Sequence, residues 1–148
     1  MVTILRSTLL AGTALLAVCP AYAADVTPER LVNADKEPHN WLMNHRTYDA
    51  QRYSPLTQIT PANVGNLVRA WEFRTGDLEA RAPAVMARTK FQATPLFVED
   101  SLIFCSPFNE VIALDPGSGA QKWRYDPKIS TAQRPANRYN CRGVAYWV

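Results

Sequence analysis

Cys105 and Cys141, the second of them in the stretch "NCRGVAYW", are the residues whose type and spacing best support chemistry. Paired thiols in an exported protein either join as a disulfide or lie buried and reduced, and the sequence leaves both states open. A disulfide here would close a loop of about 36 residues and contribute about 3–4 kcal/mol by restricting the unfolded chain. Other candidates are weaker. His39 and His45 share no metal-ligand spacing with each other or with the cysteines and read as loop histidines. "DPGSG" (Asp115 to Gly119) has neither a third glycine nor a following Lys-Ser or Lys-Thr, which argues against a phosphate loop. No Ser/His/Asp arrangement or spaced pair of carboxylates stands out. Tyr48, Tyr53, Trp41 and Trp71 read as a packing group rather than a ligand cage.

Composition sets the frame for these residues. The chain has 148 residues, 47% of them hydrophobic and 20% charged, which is globular and well away from disorder. The first 23 residues read as an export signal: Arg6, then an uncharged run that closes on Ala21-Tyr22-Ala23. The apolar stretch Leu9 to Val18 is short for a bilayer span, and Pro20 interrupts it. Val18 stands where a lipoprotein signal needs a small residue, so Cys19 is not read as a lipidation site. The expected location is therefore the periplasm, with a mature chain beginning near Ala24. The cations are scattered singly or beside acids, as in "RTGDLEARAP", which is a solvated surface and no nucleic-acid footprint.

The elements that must hold the candidate residues divide into two parts, 24–78 and 79–148. The first opens at Thr27-Pro28-Glu29, a threonine cap with proline at the first helical position, and its helix breaks near Pro38. Thr60-Pro61 repeats the signal for a short helix or turn. "LVRAWEFRT" then predicts a strand with Trp71 and Phe73 on one face and Glu72 and Arg74 on the other. In the second part "ATPLFV", "LIFC", "EVIAL" and "AQKWRYD" are separated by Glu99-Asp100-Ser101, Ser106-Pro107-Phe108-Asn109 and Asp115-Pro116-Gly117-Ser118-Gly119. Those turns predict an antiparallel meander of four strands. Such a sheet is marginal alone and has the size of one β-propeller blade. The spacing Ala113-x-Asp115-x-x-x-Gly119-x-x-x-Trp123 resembles the tryptophan-docking repeat of quinoprotein propellers, in which a Trp packs against the backbone of a neighbouring blade.

Longer blocks make the resemblance specific. "NWLMNHRTYDAQRYSPLTQITPANVGNLVRAWEFRTGD", "FQATPLFVEDSLIFCSPFNEVIALDPGSGAQKWRYDPKI" and "CRGVAYW" occur in the order found at the start of pyrroloquinoline quinone (PQQ)-dependent dehydrogenases of the alcohol, glucose and quinate type. The resemblance implies an all-β fold: about one blade of an eight-bladed β-propeller plus an entering strand, preceded by short N-terminal helices. It implies that the chain is the opening sector of a longer enzyme, with its strand-like end expecting neighbours. A non-catalytic propeller scaffold of the cell envelope and a remnant of a frameshifted gene are the rival readings.

The resemblance also implies chemistry. PQQ is a flat o-quinone with three carboxylates, and the family oxidises an alcohol, polyol or sugar by hydride transfer to it, aided by calcium and an Asp base. Electrons then pass to ubiquinone or a c-type cytochrome. By resemblance Arg142 reaches a PQQ carboxylate or quinone oxygen, a task suited to a planar guanidinium. Gln92 stands where relatives often carry a Glu that contacts the cofactor; an amide keeps the hydrogen bonding without the charge. Calcium ligands, the base and the ring-stacking residues are expected beyond Val148, so no catalytic or metal residue is assigned here. Cys141 precedes Arg142 as in the glucose and quinate branch, without the adjacent cysteine pair of alcohol-type members. If joined to Cys105, it would pin the Arg142 loop to the blade.

Overall fold

The computed structural model describes residues 25–147. The expected export signal, with Cys19, lies outside them. Among the described residues no helix is long and apolar enough to cross a membrane.

The chain opens on a one-turn helix, α1 (Pro28–Val32), capped as the sequence predicts by the Thr27 side chain, which accepts from the Arg30 N–H at 3.3 Å. The helix is shorter than expected: Asn33 ends it, and a 3₁₀ turn at Ala34–Lys36 carries the chain toward Pro38. Arg30 clamps this corner, its guanidinium 2.5 Å from Glu37 and 3.3 Å from Glu99. The hydrogen bond from Arg30 is the main reason that Glu37 titrates at about 2 instead of 4.5. A carboxylate lowered in the folded state stabilises fully above its unfolded value, and that stabilisation is lost as pH falls from about 4.5 toward about 2. After solvent screening we expect about 1–2 kcal/mol from this source. Urea midpoints measured across that window should fall less steeply in Glu37→Gln than in the parent chain; parallel curves would assign the acid sensitivity to other groups.

Thr60-Pro61 leads into a 3₁₀ turn at Val64–Asn66, within the short-helix expectation. The following segment departs from prediction. Residues 71–75 have the alternating exposure of a strand, with Trp71, Phe73 and Thr75 partly buried and Glu72 and Arg74 exposed, but residues 67–75 join no ladder among the described residues. Side chains rather than backbone bonds hold this segment. The Trp71 indole donates to the Pro116 carbonyl at 2.9 Å, and Trp71 and Phe73 pack on Phe104, Ile112 and Leu114. Two one-turn helices not foreseen from sequence follow, α2 (Asp77–Ala80) and α3 (Pro83–Met86). Gly76, at φ 83°, turns the chain into the first, and Pro83 starts the second.

The meander forms as predicted: β1 (Leu96–Val98), β2 (Ser101–Cys105), β3 (Val111–Leu114) and β4 (Gln121–Tyr125), antiparallel and in sequence order. The period of two sorts its residues onto two faces. Leu96 and Val98 meet Val26 and Leu42 on one face, with Leu31, Val144 and Tyr146 packed against them. Phe104, Ile112 and Leu114 form the other face with Trp71 and Phe73. Each fully buried aliphatic side chain is worth about 1.5–3 kcal/mol. The β1–β2 turn places Glu99 (φ 46°) and Asp100 (φ 54°) in the left-handed region, without the Gly or Asn that such a turn favours. β4 is exposed along its whole length.

The tryptophan that docks on the Asp115–Gly119 turn is Trp71. Trp123, which the repeat spacing singled out, lies on β4 opposite Ala113 and is 45% exposed. Asp115 organises the turn by accepting from the Ser118 hydroxyl at 2.7 Å and the Ser118 N–H at 2.8 Å. The hydroxyl bond chiefly, then the backbone bond, holds the Asp115 carboxyl below its usual range. Tyr48 and Tyr53 are exposed, at 64% and 67%, so the expected aromatic packing group does not assemble.

Candidate functional site

The cysteines are joined: Cys105 at the end of β2 and Cys141 form a disulfide, their Cα atoms 6.0 Å apart. Both sulfurs lie against the Gly143 carbonyl oxygen, at 3.5 and 3.4 Å. A disulfide sulfur has no proton to donate, so these are packing contacts, and they fix the backbone on both sides of Arg142.

A second set of bonds brings the same loop alongside residues 88–94. Tyr139 N–H donates to the Arg88 carbonyl at 3.0 Å, Lys90 N–H to the Tyr139 carbonyl at 3.0 Å, and Thr94 N–H to the Arg142 carbonyl at 2.9 Å. Thr89 and Tyr139 make a parallel bridge. The local sequence explains why this stretch is free to pair. α3 has ended, Thr89 ties itself back to the Val85 carbonyl through its hydroxyl at 3.0 Å, and β1 begins only at Leu96. Gln92 therefore lies ahead of the strand instead of starting it. Beyond Arg142 the run Val144–Trp147 forms no ladder among the described residues; Val144 and Tyr146 fold back onto the Leu96–Val98 face.

The two residues singled out from sequence, Gln92 and Arg142, are thus brought onto neighbouring segments although 50 positions apart in the chain. Both are exposed. Gln92 Oε1 accepts from Asn140 Nδ2 at 2.8 Å. The Arg142 guanidinium has no ion-pair or hydrogen-bond partner among the described residues. An unpaired guanidinium on the segment next to an exposed carboxamide, with no carboxylate among the described residues bound to it, fits an anionic group such as a carboxylate of the cofactor that the resemblance implies. Metal chemistry is not assigned to this corner: among the described residues no three His, Cys, Asp or Glu side chains gather as a metal-ligand set. His45 Nδ1 accepts from Arg52 Nε at 2.9 Å.

Two other features bear on where a ligand could sit. A cavity of about 570 Å³ lies between the Trp71–Glu79 segment and the sheet, walled mainly by Trp71, Phe73, Phe91, Leu102, Phe104 and Leu114. Its walls are mostly apolar, and Arg74 is outnumbered there by Glu72, Asp77 and Glu79, which disfavours an anion. Behind the Arg142 corner, buried Glu110 binds Arg124 and Arg81, the latter at 2.9 Å, and Arg81 reaches Asp77 at 3.4 Å while lying 3.7 Å over the Phe108 ring. Phe108 packs on Tyr139 with ring centres 5.1 Å apart. This stack supports the 139–142 segment from below. Sequence reasoning missed all of it, since "SPFNEV" reads as an ordinary polar turn; an aromatic residue inside that turn was the one available signal.

Residues 41–148 match the model of the PQQ glucose/ethanol/alcohol dehydrogenase β-propeller domain. The chain is 40% identical over 151 residues to quinohemoprotein alcohol dehydrogenase ADH-IIG of Pseudomonas putida, covering 97% of this chain and 19% of that protein. It is 39% identical over 126 residues to quinoprotein glucose dehydrogenase of Escherichia coli K12, covering 84% of this chain and 15% of that protein. The solved quinohemoprotein alcohol dehydrogenase from Comamonas testosteroni superposes with a TM-score of 0.64 at 31% identity, over 82% of this chain and 17% of that one. The chain thus spans a fifth or less of the length of these relatives. With the four-stranded sheet, the docked tryptophan and a family match over most of its length, the chain belongs to the PQQ-dependent dehydrogenases and carries part of their β-propeller.

Proposed function

We propose that this chain supplies the opening sector of a periplasmic quinoprotein dehydrogenase that oxidises an alcohol, polyol or sugar. When bound, PQQ would accept the hydride, and calcium would polarise it. This chain's own part is to hold one of the cofactor's anionic groups. Arg142 would pair with a carboxylate or quinone oxygen, Gln92 would hydrogen-bond beside it, and the Cys105–Cys141 disulfide would keep Arg142 in place. The observation that carries the reading is the pairing of residues 88–94 with 139–142, which puts Gln92 and an unpaired Arg142 on neighbouring segments. Export is supported by the signal-like residues 1–23 and by the disulfide, a bond of oxidising compartments. Electrons would leave to ubiquinone or a c-type cytochrome.

One four-stranded sheet has no second wall to enclose a cofactor, so the 148-residue chain alone should show no dye-linked alcohol or sugar oxidation with PQQ and calcium. Weak PQQ binding at the Arg142 corner should persist and be visible as shifts in ¹⁵N–¹H spectra. Arg142→Ala should weaken it about tenfold, the worth of one charge-assisted hydrogen bond. Binding that ignores Arg142→Ala would overturn the assignment of the corner, and turnover by the chain alone would overturn its role as a sector.

A further inference from the structure

Asn140 stands between the strap that carries Arg142 and the side chain of Gln92. Its Nδ2 donates to Gln92 Oε1 at 2.8 Å, while its own Oδ1 is buried and unpartnered. Two amides facing each other can pair in two senses. In the observed sense Asn140 donates, and the Gln92 N–H₂ group is left for something else. In the reverse sense Gln92 would donate, and the Asn140 N–H₂ group, with two donors, would occupy the buried place without a partner. A buried carbonyl oxygen left unpaired is tolerated more often than unpaired N–H groups. The environment of Asn140 therefore decides which end of Gln92 is free.

We propose that Asn140 is a positioning residue that holds Gln92 with its N–H₂ group available to a ligand, so that Gln92 and Arg142 together present only donors. This rests on the reading of Gln92 and Arg142 as cofactor-facing, and it names the ligand group: a carboxylate, which can accept from both.

The test uses ¹⁵N-labelled 148-residue chain and reads side-chain amide exchange with solvent, first without any ligand. The Asn140 N–H₂ protons should exchange at least about tenfold more slowly than those of Gln92. In Asn140→Asp, which can only accept when ionised, the Gln92 protons should become the slow ones. Asn140→Leu should leave Gln92 fast exchanging. Protection of Gln92 in the parent chain, or no response to Asn140→Asp, would overturn the proposal. PQQ is then added as the probe. If Asn140 is protected as expected but PQQ shifts neither Gln92 nor Arg142, the positioning stands and the cofactor reading fails. If PQQ shifts both while protection is reversed, the cofactor reading stands and the positioning fails.

Discussion

Glu110→Ala is expected to destabilise the chain by about 2–4 kcal/mol, the cost of leaving two partly buried cations without their counter-charge. The Glu110 side chain is 4% exposed and is held by two guanidinium groups, Arg81 and Arg124, whose side chains are 19% and 32% exposed. Removing the carboxylate leaves Arg81 with Asp77 alone, at 3.4 Å, over the Phe108 ring. Glu110→Gln should recover part of the loss, since an amide oxygen still accepts one bond. Replacing Glu110, Arg81 and Arg124 together by apolar residues of similar volume should cost less than Glu110→Ala, because a buried ion pair contributes little over a well-packed apolar group while a broken one costs much. Urea denaturation of the three variants tests this ordering. A loss below about 1 kcal/mol in Glu110→Ala would mean that water reaches the site and screens it.

Gly119→Ala is the second large effect, at about 2–4 kcal/mol. Gly119 has φ 73°, a conformation that costs an L residue about 1–2 kcal/mol. A Cβ there would also stand 2.5 Å from Cδ2 and Cε3 of Trp71, which no real contact tolerates. The indole would have to leave the turn, giving up its bond to the Pro116 carbonyl and its packing on Phe104 and Leu114. Tryptophan fluorescence should shift to longer wavelength in Gly119→Ala, and Trp71→Phe should abolish that difference. Trp71→Phe alone should cost about 1 kcal/mol, the worth of the lost hydrogen bond. An unshifted spectrum in Gly119→Ala would show that the turn can move away from the ring.

These two sites mark the boundary of what the sequence carries. The meander was legible because each hairpin is encoded locally: alternating apolar residues, then a turn with its own Pro, Gly, Asn or Asp. The Thr27 cap was legible for the same reason, and so was the face shared by Trp71 and Phe73. That segment still forms no ladder, because a strand needs a neighbour and periodicity says nothing about one. The pairing that puts Gln92 and Arg142 on neighbouring segments depends on contacts between residues about fifty apart, which no local pattern records, and only family resemblance named those two residues. Glu110 was invisible because an acid after a turn reads as solvated, and its two arginines come from other segments. Asn140 was missed since an asparagine before a cysteine carries no signal of what it touches. The repeat spacing names Trp123 as a ring for a neighbouring blade, while the turn of that same repeat receives Trp71 from the preceding segment, a partner the spacing does not name.

The sheet joins each strand only to the next one along the chain. Low contact order of this kind lets hairpins close early, on the microsecond scale expected for a single hairpin. Everything that ties the sheet to its surroundings spans far more chain: 45 positions from Trp71 to Pro116, 48 from Asn140 to Gln92, 36 between the joined cysteines. Closing those longer loops is slower, so refolding should show a rapid gain of β circular dichroism followed by a later change in tryptophan emission. With the thiols reduced, the first phase should keep its rate while the assembly of the 139–143 strap lags behind it.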